Sequence, residues 1–108
     1  MTNYLEQKCS QSAAAISDDA VRDHLAQWSG WREADGAIEK IFAFKGWLET
    51  VAFVDALAWI CHVEDHHPEL RVSFDRCTVR FSTHSVGGIS QNDFICAAKT
   101  DALVAFVG

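Results

Sequence analysis

Apolar and polar positions along the chain mark out seven elements. Ser17 precedes two acids, Asp18 and Asp19, and Val21, Leu25 and Trp28 then recur at helical spacing. A serine cap with acids in the first turn satisfies free N–H groups and the macrodipole, so a helix is predicted from there to Ser29-Gly30. Trp31 to Glu33 and Ala37 to Lys45 flank Asp35-Gly36, a hairpin signal. In the second arm Ile38, Lys40, Phe42 and Phe44 share one face, and Ile41 and Ala43 the other. Gly46 to about Asp65 reads as the longest helix. Leu48, Val51, Val54 and Leu57 form its stripe, which Phe53, Ile60 and Cys61 widen around most of the circumference. Such a helix is either central or partly covered by another subunit. Pro68 stops it just before His67.

Arg71 to Phe74 and Thr78 to Thr83 alternate on either side of Asp75-Arg76 and predict a second hairpin. Gly87-Gly88 is a loop. Ser90 caps a final helix with Phe94, Ala97, Ala98 and Leu103 inward. The order is α-β-β-α-β-β-α, without a sequence repeat, low-complexity stretch or linker. Residues 1–16 are polar and unpatterned and are expected to be a flexible segment. Residues 17–108 are expected to form a single domain.

Composition narrows this picture. A length of 108 residues fits one domain, and four Trp and seven Phe supply much of its core. The net charge of −6, with no Lys/Arg cluster, argues against nucleic acid or an anionic membrane as partner. The longest apolar run, Trp47 to Val63, is broken by Glu49, Asp55 and His62, so it reads as a buried helix and not a membrane span. No basic start followed by an apolar run marks a signal peptide. Cys9, Cys61, Cys77 and Cys96 include no CxxC pair, and they read as reduced thiols of a cytoplasmic protein.

The candidate chemistry lies in the histidines. His62, His66 and His67 cluster within six residues, and His84 follows at a strand end. His24 stands apart on the first helix, where an exposed structural role is expected. Helix ends and strand ends display side chains on a rigid frame. Imidazole exchanges protons near neutral pH, so several around one pocket suit a reaction that protonates a leaving group and removes a proton elsewhere. The plain alternative is a set of surface or capping histidines. A metal is the rival reading: His62 and His66 are four apart, and His84 could add a third ligand. Against it, the helix ends at His66 and no metalloprotease-type Glu lies between the pair. Cys61 could act as a nucleophile beside a histidine, but its apolar neighbours from Ala56 onward favour a buried, inert thiol. Asp93 suits the start of the last helix through the macrodipole alone, and it could also support a histidine from behind. There is no phosphate-binding glycine loop and no nucleophile elbow.

The run His62-x3-His66-His67-Pro68, with five residues to Phe74, nine more to His84 and eight more to Asp93, resembles the signature of the pterin-4a-carbinolamine dehydratases. Gly30-Trp31, Ile41 to Phe44, Ser82-Thr83-His84 and Gly88-Ile89-Ser90 match that family's pattern too, from about residue 17 to the C-terminus. The resemblance implies an α+β fold with a four-stranded antiparallel sheet covered on one face by helices. It implies dehydration of 4a-hydroxytetrahydrobiopterin to quinonoid dihydropterin, in tetrahydropterin recycling after an aromatic amino-acid hydroxylase. It implies a homodimer or homotetramer and no metal or organic cofactor. His66, His67 and His84 match the family's active-site histidines. Asp65, Ser82, Thr83 and Ser85 match positions that line the pterin, and Asp93 matches the signature's last acid, a supporting residue. Within that set His66 and His84 are expected as acid and base, and His67 as the group that orients the pterin. Leu70, Val72, Phe74 and Ser85 depart from the commoner Trp, Asn, Tyr and Glu. Those changes bear on the pterin side-chain preference and subunit contacts more than on the reaction.

Overall fold

The computed structural model describes residues 3–107, with side chains described as far as residue 104. Its regular elements are α1 (Asp18–Ala26), β1 (Arg32–Ala34), β2 (Ala37–Ala43), α2 (Trp47–Glu64), β3 (Glu69–Val72), β4 (Arg76–Phe81) and α3 (Gln91–Val107). Short 3₁₀ turns add Tyr4–Glu6 and His84–Val86. The expected order α-β-β-α-β-β-α is present, and the sheet is antiparallel in the order β1-β2-β4-β3.

Local chemistry explains several boundaries. The Ser17 side chain accepts from the Ala20 N–H, as its cap position requires. Asp35 and Gly36 both have positive φ, 50° and 78°, and join Ala34 to its partner Ala37. That pair of left-handed residues matches the right-handed twist of a two-residue hairpin. The second hairpin sits earlier than expected. β3 begins at Glu69 and ends at Val72, so Phe74 lies in the turn instead of the strand. Ser73 N–H bonds Arg76 O, and Thr50 Oγ1 donates to Phe74 O, which fixes the turn against the first turn of α2.

One sheet face carries the core. Ile38 pairs with Phe81, Lys40 with Val79 and Phe42 with Cys77, so all six share a face, and the apolar ones are buried with Phe53, Leu57 and Cys61 of α2 and Phe94, Cys96 and Ala97 of α3. The buried stripe of α2 is Thr50, Phe53, Leu57 and Cys61, rotated from the Leu48-centred stripe expected. With apolar residues nearly all round, the sequence pattern could not select a face. Leu48 at 83% exposure, Trp59 and Val63 at 69% each, and Val51 lie outside. Among the described residues no helix is long and apolar enough to cross a membrane.

The segment expected to be loose makes specific contacts with the domain at several of its described residues. Cys9 N–H donates to Glu64 Oε1 at 2.8 Å, Ser10 N–H to Asn92 Oδ1 at 2.9 Å, and Ile16 N–H to Ile89 O at 2.8 Å. Tyr4 stacks on Phe94 and reaches the His24 ring, so His24 is half-buried and not the exposed residue anticipated. These ties involve residues distant in sequence and leave no periodic trace near positions 3–16.

Candidate active site

Helix α2 ends at Glu64, and Asp65 takes a left-handed conformation with φ 51° and ψ 44°. Aspartate is among the few non-glycine types that enter this region readily. Its N–H bonds His62 O, the His66 N–H bonds Cys61 O, and the chain leaves the helix axis. His66 and His67 are therefore presented just beyond a rigid helix that ends at Glu64, before Pro68 would have forced a stop. On the other side, Thr83 and Gly88 exchange backbone hydrogen bonds and close a loop whose 3₁₀ turn starts at His84. Gly87, with φ 67°, completes that turn.

These two chain ends open into one cavity of about 810 Å³. Asp65, His66, His67, Ser82, Thr83, His84 and Ser85 all line it. Asp93 stands behind them, with no exposed surface. Its Oδ1 lies 2.6 Å from His66 Nε2, and its Oδ2 accepts from Thr83 Oγ1 at 2.8 Å and from the Ser90 N–H at 2.9 Å. Thr83 Oγ1 also meets Ser90 Oγ at 2.7 Å, and Ser90 Oγ accepts from the Asn92 N–H. The carboxylate thus has three partners, as a buried charge requires. The His66 ring lies parallel to Phe81, and its side chain is 12% exposed. Ring packing and the carboxylate together fix its orientation. Asp93 thereby engages one ring nitrogen, Nε2, and the contact does not involve Nδ1. His67 and His84 are exposed and free to adjust to a ligand.

The metal reading does not assemble. His62 is exposed, lies edge-on to Trp59 and is absent from the cavity lining. Among the described residues no three His, Cys, Asp or Glu side chains are drawn together as a cation site. Cys61 is buried, and burial pushes its thiol up to about 11, which disfavours a nucleophilic role.

Sequence reasoning missed two walls of the cavity. Cys9, Ser10, Gln11 and Ala13 form one. Glu69 and Arg80, from neighbouring strands, belong to the other with Asp35 and Ala37. Strand alternation offered a signal for Arg80, because it faces away from the core between buried Val79 and Phe81. The register places Arg32, Glu39, Arg80 and Glu69 in one row across all four strands. Glu39 is buried between the two arginines, bonding Arg32 at 2.7 Å and also Arg80. The Arg32 hydrogen bond holds its carboxyl below the usual carboxylate range, burial opposes this, and Arg80 adds to the lowering. Arg80 also donates to Ala34 O, which ties the first hairpin to the cavity rim.

The pattern of the family described as Pterin 4 alpha carbinolamine dehydratase matches residues 14–103. A protein of Stenotrophomonas maltophilia K279a, provisionally named pterin-4-alpha-carbinolamine dehydratase, is 60% identical over 90 residues, covering 82% of this chain and 78% of its own. A Bdellovibrio bacteriovorus protein with the same provisional name is 48% identical over 106 residues, covering 94% and 88%. The crystal structure of a transcriptional coactivator/pterin dehydratase from Brucella melitensis superimposes with a TM-score of 0.77 at 29% identity, covering 82% of this chain and 96% of that one. A pterin dehydratase-like protein described as a RuBisCO assembly factor in the alpha-carboxysome gives a TM-score of 0.60 at 26% identity, covering 70% and 90%.

Proposed function

This chain belongs to the pterin-4-alpha-carbinolamine dehydratase family, and from that premise we propose that it converts 4a-hydroxytetrahydrobiopterin to quinonoid dihydropterin and water. As a family member it is a hydro-lyase. The observation that carries the mechanism is the buried Asp93 carboxylate against His66, in a cavity that His67 and His84 also line.

In the proposed reaction the C4a–OH bond breaks and N5 gives up its proton. The electron pair of that N–H bond becomes the new C4a=N5 bond. His66 takes the N5 proton, and the imidazolium it becomes is stabilised by Asp93. His84, exposed at the start of its 3₁₀ turn, protonates the leaving hydroxyl. His67 orients the ring, with Asp65, Ser82, Thr83 and Ser85 along the cavity wall. Acid–base assistance of this kind contributes about 10²–10⁴-fold. The reaction draws on side chains alone. We set it in the cytoplasm, coupled to an aromatic amino-acid hydroxylase and serving tetrahydrobiopterin recycling and biosynthesis. We also propose a homodimer or homotetramer, supported by the exposed apolar ridge Leu48, Val51, Trp59 and Val63 of α2. A sedimentation mass equal to one chain would remove that assignment.

The test of the activity is direct. A hydroxylase generates the 4a-hydroxypterin, and its loss is followed with and without this protein. Acceleration that His66→Ala and His84→Ala each diminish is expected. A loss no faster than the spontaneous rate would favour the second reading, a non-catalytic binding or assembly module. The assembly-factor neighbour supports that reading, at lower identity than the dehydratase relatives.

A further inference from the structure

Two thiols far apart in sequence meet at the edge of the cavity. Cys9 Sγ and Cys96 Sγ are 3.5 Å apart, across 87 positions of chain. Cys96 is fully buried within α3, whereas Cys9 is half-buried and lines the cavity. The backbone around Cys9 is clamped on both sides. Its own N–H bonds Glu64, and the neighbouring Ser10 exchanges two hydrogen bonds with the Asn92 side chain. Cys9 Sγ also points at Asn92 O, 3.6 Å away. Both sulfurs are therefore held in place, and a bond between them needs about 1.5 Å of closure.

We propose that Cys9 and Cys96 form a redox pair, in which oxidation by a low-molecular-weight disulfide of the glutathione type fastens the N-terminal wall of the cavity to α3. The Cys9 thiolate attacks the small disulfide, forming a mixed disulfide and releasing one thiol. Cys96 sulfur then attacks Cys9 sulfur, its proton goes to the departing thiolate, and the second small thiol leaves. Two cysteine thiols are oxidised and one disulfide is reduced to two thiols. The order follows from the surroundings. Cys9 lines the cavity and Cys96 does not, so Cys9 is the sulfur an oxidant there reaches; the hydrogen bond to Cys9, and then burial, push the Cys96 thiol pKa up, which makes it the less ready first nucleophile. Hydrogen bonds around Ser10 can open and close, but the disulfide cannot. The reduced form leaves the Ser10, Gln11 and Ala13 wall free to open, and the oxidised form fixes it.

The experiment treats the reduced full-length protein with oxidised glutathione and maps its peptides by mass. The expected product has lost two hydrogens, retains no glutathione and joins Cys9 to Cys96. Its melting midpoint rises by on the order of 10 °C and returns on reduction with dithiothreitol. Protease cleavage between residues 3 and 16 slows about tenfold, because the open form is suppressed. Cys9→Ala, which leaves the core intact, abolishes all three changes. A lasting glutathione adduct on Cys9, a cross-link to the buried neighbour Cys61, or an unchanged response in Cys9→Ala would each overturn the pair. None of these readouts depends on which reaction the cavity performs.

Discussion

Two walls of the same cavity are built on opposite plans. The histidine wall is anchored through a buried charge: His66 rests on Asp93, which in turn accepts from Thr83 and Ser90. His66, Thr83 and Ser90 all meet that carboxylate at the start of α3, while His67 and His84 stay exposed on the same wall. The N-terminal wall is a strap without regular structure between Gln7 and Ala14, held by individual bonds from Cys9 and Ser10 to α2 and α3. The first plan suits proton transfer, where a displacement of about 1 Å is costly. The second suits admission and enclosure of a ligand, where bonds must break and reform. Segments held by a few separate bonds are in general where proteins open first.

The comparison fails most visibly if Asp93 can be removed without harm. Asp93→Ala leaves the Thr83 hydroxyl, the Ser90 N–H and His66 short of a buried partner and should destabilise the domain by about 3–5 kcal/mol, read by urea unfolding. Asp93→Asn preserves the shape, so its effect should fall on the dehydration rate and its pH profile. A loss below threefold would detach Asp93 from the proton path.

His84→Ala should lower the dehydration rate by about 10²-fold while leaving stability within about 0.5 kcal/mol, because the side chain is exposed. Equal losses of stability and rate would mean that the loop, and not the imidazole, carries the effect.

Asn92→Ala sharpens the contrast from the strap side. It removes both bonds to Ser10 and should cost about 1–2 kcal/mol. Proteolysis within residues 3–16 should accelerate, and KM for the pterin should rise with little change in kcat. A fall in kcat alone would place the strap in the chemistry and erase the distinction between the two walls.

The smallest effect concerns pH. The folded pKa of Glu39 is below its unfolded value, so its contribution to stability is present above about pH 4.3 and is lost as pH drops through the lower folded value. Glu39→Gln should flatten the acid limb of the stability curve relative to the wild type. An unchanged acid limb would show that the charge row across the sheet does not hold the cavity rim.

Much of this was readable along the chain. The Ser17 cap, the Asp35-Gly36 turn and the alternation of Ile38, Lys40 and Phe42 are local signals, and each appears where it was expected. The histidine cluster stood out because His66-His67-Pro68 follows a helix and Ser82-Thr83-His84 follows a strand, and the fold brings both segments to one cavity. The second hairpin slipped because Thr50, distant in sequence, holds the Phe74 carbonyl and decides where the strand stops. The rotation of α2 was hidden for a different reason: its apolar residues run all round, so the choice of buried face belongs to its neighbours.

Sequence by itself determined the elements, their order, the histidines and the family resemblance, since caps, turns, alternation and motif spacing act over a few residues. Tertiary structure alone decided that His66 leans on Asp93, that Arg80 joins the cavity rim, and that Cys9 lies against Cys96. Those facts rest on single hydrogen bonds and close approaches between segments up to 87 residues apart. Such contacts have no period and no local composition, so they exist only once the core has fixed where each segment lies.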